Sequence, residues 1–135
     1  MQEESRTGNL SGLRVMVIDD SKTIRRTAES LLKREGCDVL TATDGFEALA
    51  KIADSQPQII FVDIMMPRLD GYQTCALIKQ NPTFKTTPVI MLSSKDGIFD
   101  RARGKLAGSD QYLTKPFTKE ALVEAVHRHA ARVPS

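Results

Sequence analysis

The chain has 135 residues and a formal net charge of +2, with 5% aromatic residues and no tryptophan. This length fits one domain with a sizeable buried core, and the nearly balanced charge argues against a nucleic-acid-binding surface. The two cysteines lack the spacing of a metal site or redox motif and no apolar run could span a membrane, so we expect a cytoplasmic protein with free thiols.

The first stretch of the chain is polar. Residues 1–12 lack the apolar segment of a signal peptide, and their composition predicts a flexible tail. One folded domain is expected after it, over residues 13–133, because strand and helix patterns alternate there.

Short apolar runs without polar alternation are typical of strands buried on both faces of a parallel sheet. The predicted strands are Arg14–Ile18, Asp38–Thr41, Ile59–Val62, Val89–Leu92 and Gln111–Thr114. The predicted helices are Ser21–Glu35, Gly45–Ser55, a helix capped by Asp70, Asp96–Leu106 and a helix capped by Thr118. Five strand–helix units in series predict a single doubly wound α/β domain, a five-stranded parallel sheet with helices on both faces.

Side-chain directions can be predicted for two helices. In the second helix, the apolar residues expected to face the sheet are Phe46, Leu49, Ala50 and Ala53. In the first helix, Arg25 and Arg26 are expected on the side exposed to solvent.

Polar residues follow four of the predicted strands at the point where each strand ends. They are Asp19, Asp20, Asp63, Ser93, Ser94 and Lys115. Ligands bind in the crevice at the carboxyl ends of such strands, so we expect these side chains to converge there. Three neighbouring carboxylates repel one another unless a cation joins them, and an all-oxygen cluster suits Mg²⁺.

In this order and at these strand ends, the residues resemble the receiver domain of bacterial two-component response regulators. The motifs are Asp19-Asp20, Asp63 within FVDIMMPRLDG, Ser93-Ser94, and Tyr112 with Lys115-Pro116-Phe117. The resemblance implies a flavodoxin-like strand order of 2-1-3-4-5. The stretch DDSKTIRRTAESLL, with no further residues for an output domain, is most similar to stand-alone regulators of twitching motility by type IV pili.

This resemblance implies a phosphorylation site. Asp63 would accept a phosphoryl group from a sensor histidine kinase, and Asp20 and the backbone carbonyl of Met65 would bind Mg²⁺ together with it. Asp19 would act on the ion through water. The alternative for the paired aspartates is capping of the first helix, and both roles can coexist. Arg25 and Arg26 would then be either solvated residues or part of a docking surface for the phosphodonor.

The resemblance also implies a switch. Lys115, aimed inward by a cis bond to Pro116, would pair with Asp63 and then with the phosphoryl group. Ser93 and Ser94 would also contact the phosphoryl group. The alternative for Lys115 is an ordinary surface lysine. Movement of Ser93 would let Tyr112 swing inward, unless that residue is an ordinary half-buried aromatic. A downstream motility protein would bind the face built from the last two strand–helix units, over residues 96–106, 111–113 and 118–132.

Met65 and Lys95 lie two residues after Asp63 and Ser93, where they would flank the path of an attacking water and tune the lifetime of the phosphoryl group.

Two other functions remain open. One is a phosphate sink that drains a shared kinase without an output of its own. The other is a phosphatase with an aspartyl nucleophile, although Asp63-Ile64-Met65 lacks the second aspartate typical of that class. We expect a monomer that binds neither nucleic acid nor membrane.

Overall fold

The computed structural model describes residues 10–94 and 98–130 of the chain. Between Arg14 and Ala130, five strands alternate with five helices. The strands are β1 (Arg14–Ile18), β2 (Asp38–Ala42), β3 (Ile59–Asp63), β4 (Val89–Ser93) and β5 (Gln111–Thr114). The helices are α1 (Lys22–Arg34), α2 (Gly45–Ser55), α3 (Gly71–Gln80), α4 (Ile98–Ala107) and α5 (Lys119–Ala130). None of these helices is both long and apolar enough to cross a bilayer.

The five strands form one parallel sheet in the order β2-β1-β3-β4-β5. This confirms the predicted doubly wound α/β domain and the strand order that the resemblance implies. In the register of the sheet, Ile18 lies beside Val62, Asp63 beside Leu92, and Ser93 beside Thr114. The carboxyl ends of β1, β3, β4 and β5 therefore meet at one edge of the sheet.

The three central strands are buried on both faces, which explains their continuous apolar sequences. Alternate residues of these strands enter two separate cores. Met16, Ile60 and Met91 pack with residues of α2 and α3 on one face. Val17, Phe61 and Ile90 pack with residues of α1 and α5 on the other face.

At the start of three helices, the side-chain cap is a residue that the prediction names: Asp70 and Thr118 as caps, and Ser21 as the first residue of its helix. Ser21 accepts a hydrogen bond from the N–H of Ile24 at the start of α1, and Thr118 accepts one from Ala121 at the start of α5. Asp70 and Gln73 form a reciprocal capping box at the start of α3. These caps satisfy backbone donors that a helix cannot pair internally.

The predicted direction of α2 is wrong for Phe46, Ala50 and Ala53, which are exposed, whereas Leu49 packs against the core as predicted. Phe46 is 52% exposed, and the buried residues of this helix are instead Gly45, Ala48 and Ile52. Both sets have helical spacing, so the periodicity of the sequence does not choose between them. Packing does, because a side chain at Gly45 would collide with Leu69 of the neighbouring loop.

The predicted boundary between the tail and the domain also lies too far toward the C-terminus. Leu10, within the stretch expected to be flexible, is completely buried in the core between the sheet and helices α1 and α5. Gly12 donates a backbone hydrogen bond of 2.8 Å to the carbonyl of Gly36. Residues 10–12 therefore belong to the folded domain, and residues 1–9 lie outside the described part of the chain.

Candidate functional site

Three aspartates meet at the carboxyl edge of the sheet. Asp19 and Asp20 directly follow β1, and Asp63 is the last residue of the neighbouring strand β3. One carboxylate oxygen from each lies within 4.8 Å of the other two. Asp19 is completely buried, Asp63 is 3% exposed, and Asp20 is open to solvent. The site thus combines two fixed carboxylates with one that solvent can reach.

Lys115 enters this cluster from the end of β5. Its Nζ donates to Asp63 Oδ1 at 3.0 Å and to Asp19 Oδ2 at 3.2 Å, and its side chain is 16% exposed. Its backbone N–H donates to the carbonyl of Ser93 at 2.6 Å. The bond from Lys115 to Pro116 is cis, as the resemblance implies. Lys115 is therefore not a surface lysine.

The charges of the cluster do not balance, because the Lys115 ammonium, which contacts two carboxylates, lies beside three. Burial is the largest reason why the pKa of Asp63 rises from 3.8 to about 6; the hydrogen bond from Lys115 opposes this rise, and Asp19 and Asp20 add to it. Burial lowers the pKa of Lys115, but Asp63 and Asp19 outweigh burial, so that this pKa lies above its ordinary value. Lys115 therefore stays charged, whereas ionisation of Asp63 costs free energy in the folded protein.

A divalent cation would relieve this excess of negative charge. The carboxylate oxygens of Asp19, Asp20 and Asp63 form the hard, all-oxygen donor set that Mg²⁺ prefers, and the exposure of Asp20 leaves room for water ligands. Both oxygens of Asp19 already accept hydrogen bonds, from the Ser21 N–H and from Lys115. This favours an indirect role for Asp19. The chemistry of these residues therefore fits the ion.

The remaining predicted site residues differ in their exposure. Ser93 is 3% exposed at the end of β4, and Ser94 is exposed beside it. Tyr112 is half-buried and packs against the core formed by the sheet with α2 and α3. The side chain of Met65 is 72% exposed, two residues beyond Asp63. Lys95 lies outside the described residues.

Gly71 is a site residue that the sequence pattern does not single out. A Cβ atom at this position would lie 2.7 Å from the Cα of Ile64 and closer still to the carbonyl oxygen of Asp63. The N–H of Gly71 also donates to the carbonyl of Ile64 at 2.9 Å. The start of α3 therefore packs directly on the backbone that carries Asp63. The glycine after Asp70 was the available signal, but it suggests only a turn.

Residues 15–127 match the response regulator receiver domain family. The chain is 76% identical to the protein PilG of Pseudomonas aeruginosa over 124 residues, which cover 92% of this chain and 90% of PilG.

Two solved structures show the same architecture. The chemotaxis protein CheY4 of Vibrio cholerae has a TM-score of 0.85 and 32% identity, covering 88% of this chain and 99% of CheY4. The receiver domain of a sensor histidine kinase of Pseudomonas aeruginosa has a TM-score of 0.83 and 26% identity, covering 90% of this chain and 99% of that domain. That domain coordinates a magnesium ion in its active-site cleft.

Proposed function

This chain belongs to the response regulator receiver domain family, and we propose that it accepts a phosphoryl group on Asp63 in a two-component phosphorelay. Receiver domains are signal transducers that act between a histidine kinase and a downstream effector. The observation that carries the proposal is the buried Asp63 carboxylate, which Lys115 contacts at 3.0 Å within a cluster of three carboxylates. Catalysis by this protein would be limited to its own phosphorylation and dephosphorylation.

In the proposed reaction, an ionised oxygen of Asp63 attacks the phosphorus of a kinase phosphohistidine. A P–O bond forms as the P–N bond breaks, and the imidazole leaves with the electron pair and takes up a proton. Asp63 must be ionised to attack, and a pKa of about 6 leaves it mostly ionised at neutral pH. Lys115 then pairs with the phosphoryl oxygens in place of the carboxylate it contacts now.

We assign Mg²⁺ to the cluster of aspartates. Asp20, Asp63 and the backbone carbonyl of Met65 would hold the ion, and Asp19 would act through water. When bound, the ion supplies positive charge next to the transferring phosphoryl oxygens. The gathering of three carboxylates within 4.8 Å and the magnesium ion in the similar kinase receiver domain support this assignment.

The switch would pass from Ser93 to Tyr112 across neighbouring strands. The Ser93 hydroxyl, with Ser94 beside it, would hydrogen-bond the phosphoryl group, and the half-buried Tyr112 would move further inward. The face formed by α4, β5 and α5 would change with it and bind the downstream partner. Leu106 on α4 is 89% exposed, and we choose it as the residue that tests this face.

We further propose that the partner belongs to a type IV pilus system for twitching motility. The 76% identity to PilG supports this output, together with the similarity of the first strand–helix segment to regulators of that kind. A cytoplasmic location and a monomeric state fit such a signalling role.

Met65 and Lys95 would tune the lifetime of the phosphorylated form. The exposed Met65 side chain offers no hydrogen bond to align a water molecule with the phosphorus. Substitution of Met65→Asn should therefore speed the loss of the phosphoryl group, measured by intact mass over time. An unchanged rate would remove Met65 from this role.

Phosphoryl acceptance is tested by intact-mass measurement after incubation with Mg²⁺ and a small phosphodonor. The wild type should gain one phosphoryl group, and Asp63→Ala should gain none. Asp54→Ala is the matched control, because Asp54 is an exposed aspartate on α2. A gain in Asp63→Ala equal to that of the wild type would overturn the assignment of Asp63.

A second measurement separates an output regulator from a phosphate sink. The phosphorylated protein is titrated against pilus-motor and signalling proteins, with Leu106→Ser as the test of the proposed face. Tighter binding of the phosphorylated form that Leu106→Ser weakens supports the output role. Binding of neither form would favour the sink, and equal binding of both forms would overturn the phosphorylation-dependent output.

A further inference from the structure

Arg25 does not extend into solvent as the pattern of α1 predicts. Its guanidinium turns back toward the sheet and donates a hydrogen bond of 2.7 Å to the main-chain carbonyl of Asp19, in a partly buried position. The next residue, Arg26, is exposed, as predicted. Two adjacent arginines therefore have different surroundings, and only Arg25 contacts the loop that carries the paired aspartates.

The carbonyl that Arg25 contacts belongs to the peptide unit joining Asp19 to Asp20. Every other polar group of Asp19 has its own partner. Its N–H donates to the carbonyl of Ala42 at 3.1 Å, and its carboxylate accepts from the N–H of Ser21 and from Lys115. Arg25 completes this set, and its hydrogen bond fixes the orientation of the peptide unit from which Asp20 begins.

We infer that Arg25 is a positioning residue for Mg²⁺, since it holds the Asp19–Asp20 peptide unit so that the exposed Asp20 carboxylate stays within reach of Asp63. This inference rests on the proposed function. Arg25 does not contact the ion; it acts through the backbone. Residues that orient metal ligands in this way affect metal affinity by about 10-fold to 100-fold when they are replaced.

The positive charge of Arg25, considered alone, predicts the opposite effect of its replacement on Mg²⁺ affinity. A cation beside a cluster of carboxylates repels Mg²⁺, so loss of the charge alone should tighten binding of the ion. Loss of the hydrogen bond should weaken it. The direction of the change in Arg25→Gln therefore distinguishes a positioning role from a purely electrostatic one.

The test is the Mg²⁺ affinity of the full chain, measured by isothermal titration calorimetry for the wild type, Arg25→Gln, Arg25→Lys and Arg26→Gln. We expect Arg25→Gln to bind Mg²⁺ about tenfold more weakly. Arg25→Lys should recover part of the loss, because lysine keeps one donor. Arg26→Gln, which removes the same charge without this hydrogen bond, should bind at least as tightly as the wild type. Equal or tighter binding in Arg25→Gln would overturn the inference.

A second readout needs no metal. In the presence of a chelator, the backbone amide of Ser21, which donates to Asp19 Oδ1 at 2.9 Å, should exchange hydrogen faster in Arg25→Gln than in the wild type and in Arg26→Gln. Unchanged exchange would show that Arg25 does not hold the loop. If the wild type itself took up neither Mg²⁺ nor a phosphoryl group, the proposed function would fall together with this inference. Normal uptake by the wild type with no effect of Arg25→Gln would overturn the inference alone.

Discussion

Strand β5 has a lysine–aspartate ion pair at each end, and the two pairs differ in the burial of the aspartate and in the number of carboxylates around the lysine. At the start of the strand, Lys79 contacts Asp110 at 2.9 Å, and these side chains are 15% and 20% exposed. At its end, Lys115 contacts Asp63 at 3.0 Å and is 16% exposed. Among the side chains that the structure describes, in residues 10–94 and 102–130, Lys79 pairs with this one carboxylate, whereas Lys115 contacts two and lies in a cluster of three.

The pair at the start of β5 stabilises the fold. Asp110 also accepts a hydrogen bond from the N–H of Val89, and Lys79 also donates to the carbonyl of Thr87. These contacts connect α3 with the beginnings of β4 and β5. Each charge has a partner of opposite sign, so the network needs nothing further from solution.

The pair at the end of β5 leaves negative charge in excess. The raised pKa of Asp63 expresses mainly the cost of burying its charge, to which Asp19 and Asp20 add, and the folded protein bears this cost when no cation is bound. The same excess makes the site receptive to Mg²⁺. Two ion pairs of similar length thus serve different purposes. Deeper burial of Asp63 and the additional carboxylates around Lys115 together distinguish the reactive pair from the structural one.

The largest difference between the two ends should appear in phosphoryl acceptance. Lys115→Met removes the ammonium that would meet the phosphoryl oxygens, and loss of one such donor costs about 100-fold to 1,000-fold in rate. Lys79→Met, at the other end of the strand, should leave the rate unchanged. Rates are measured by intact mass during incubation with a small phosphodonor. Equal slowing by both substitutions would mean that the two ends are not functionally distinct.

The stability of the fold should respond in opposite directions when each aspartate loses its charge. In metal-free buffer at neutral pH, Asp63→Asn should raise the free energy of unfolding by about 2–3 kcal/mol, because the charged carboxylate is disfavoured in the folded state. Asp110→Asn should lower it. Urea denaturation followed by circular dichroism measures both changes.

The effect of Asp63→Asn should depend on pH in a defined window. The Asp63 carboxyl loses its proton near pH 3.8 in the unfolded chain and near pH 6 in the folded protein. Between these values the folded protein binds more protons, so its stability falls as the pH rises, and the penalty is complete above the folded pKa. The advantage of Asp63→Asn should therefore vanish near pH 3.8. An advantage independent of pH would have another cause.

The smallest expected effect is the loss of the balanced pair. Lys79→Met leaves Asp110 partly buried without this ammonium and should lower the free energy of unfolding by about 1–2 kcal/mol, less than for a fully buried pair. Lys33→Met is the matched control, because its pair with Glu29 on α1 is exposed and should contribute at most about 0.5 kcal/mol. A double-mutant cycle with Asp110→Asn measures the coupling. Equal effects of the two lysine substitutions would refute the structural role of Lys79.

Much of the fold could be predicted because its signals are local. Continuous apolar strands, caps such as Ser21 and Asp70, and polar residues at strand ends are features of short segments. Prediction failed where two local patterns were equally good or where the partner is distant in the chain. The sequence pattern favours burial of Phe46, but Gly45 lies inward instead, where Thr74 and Leu69 leave no room for a Cβ atom.

By itself, the sequence determined the five strand–helix units and the placement of Asp19, Asp20, Asp63 and Lys115 at strand ends. A parallel sheet brings such ends together whatever the details of packing. Only the tertiary structure decided that Arg25 contacts the Asp19 carbonyl, that Gly71 lies on the Asp63 backbone and that Leu10 is in the core. It also decided the pKa of Asp63. Each of these depends on burial and on distances between segments that periodicity along the chain does not encode.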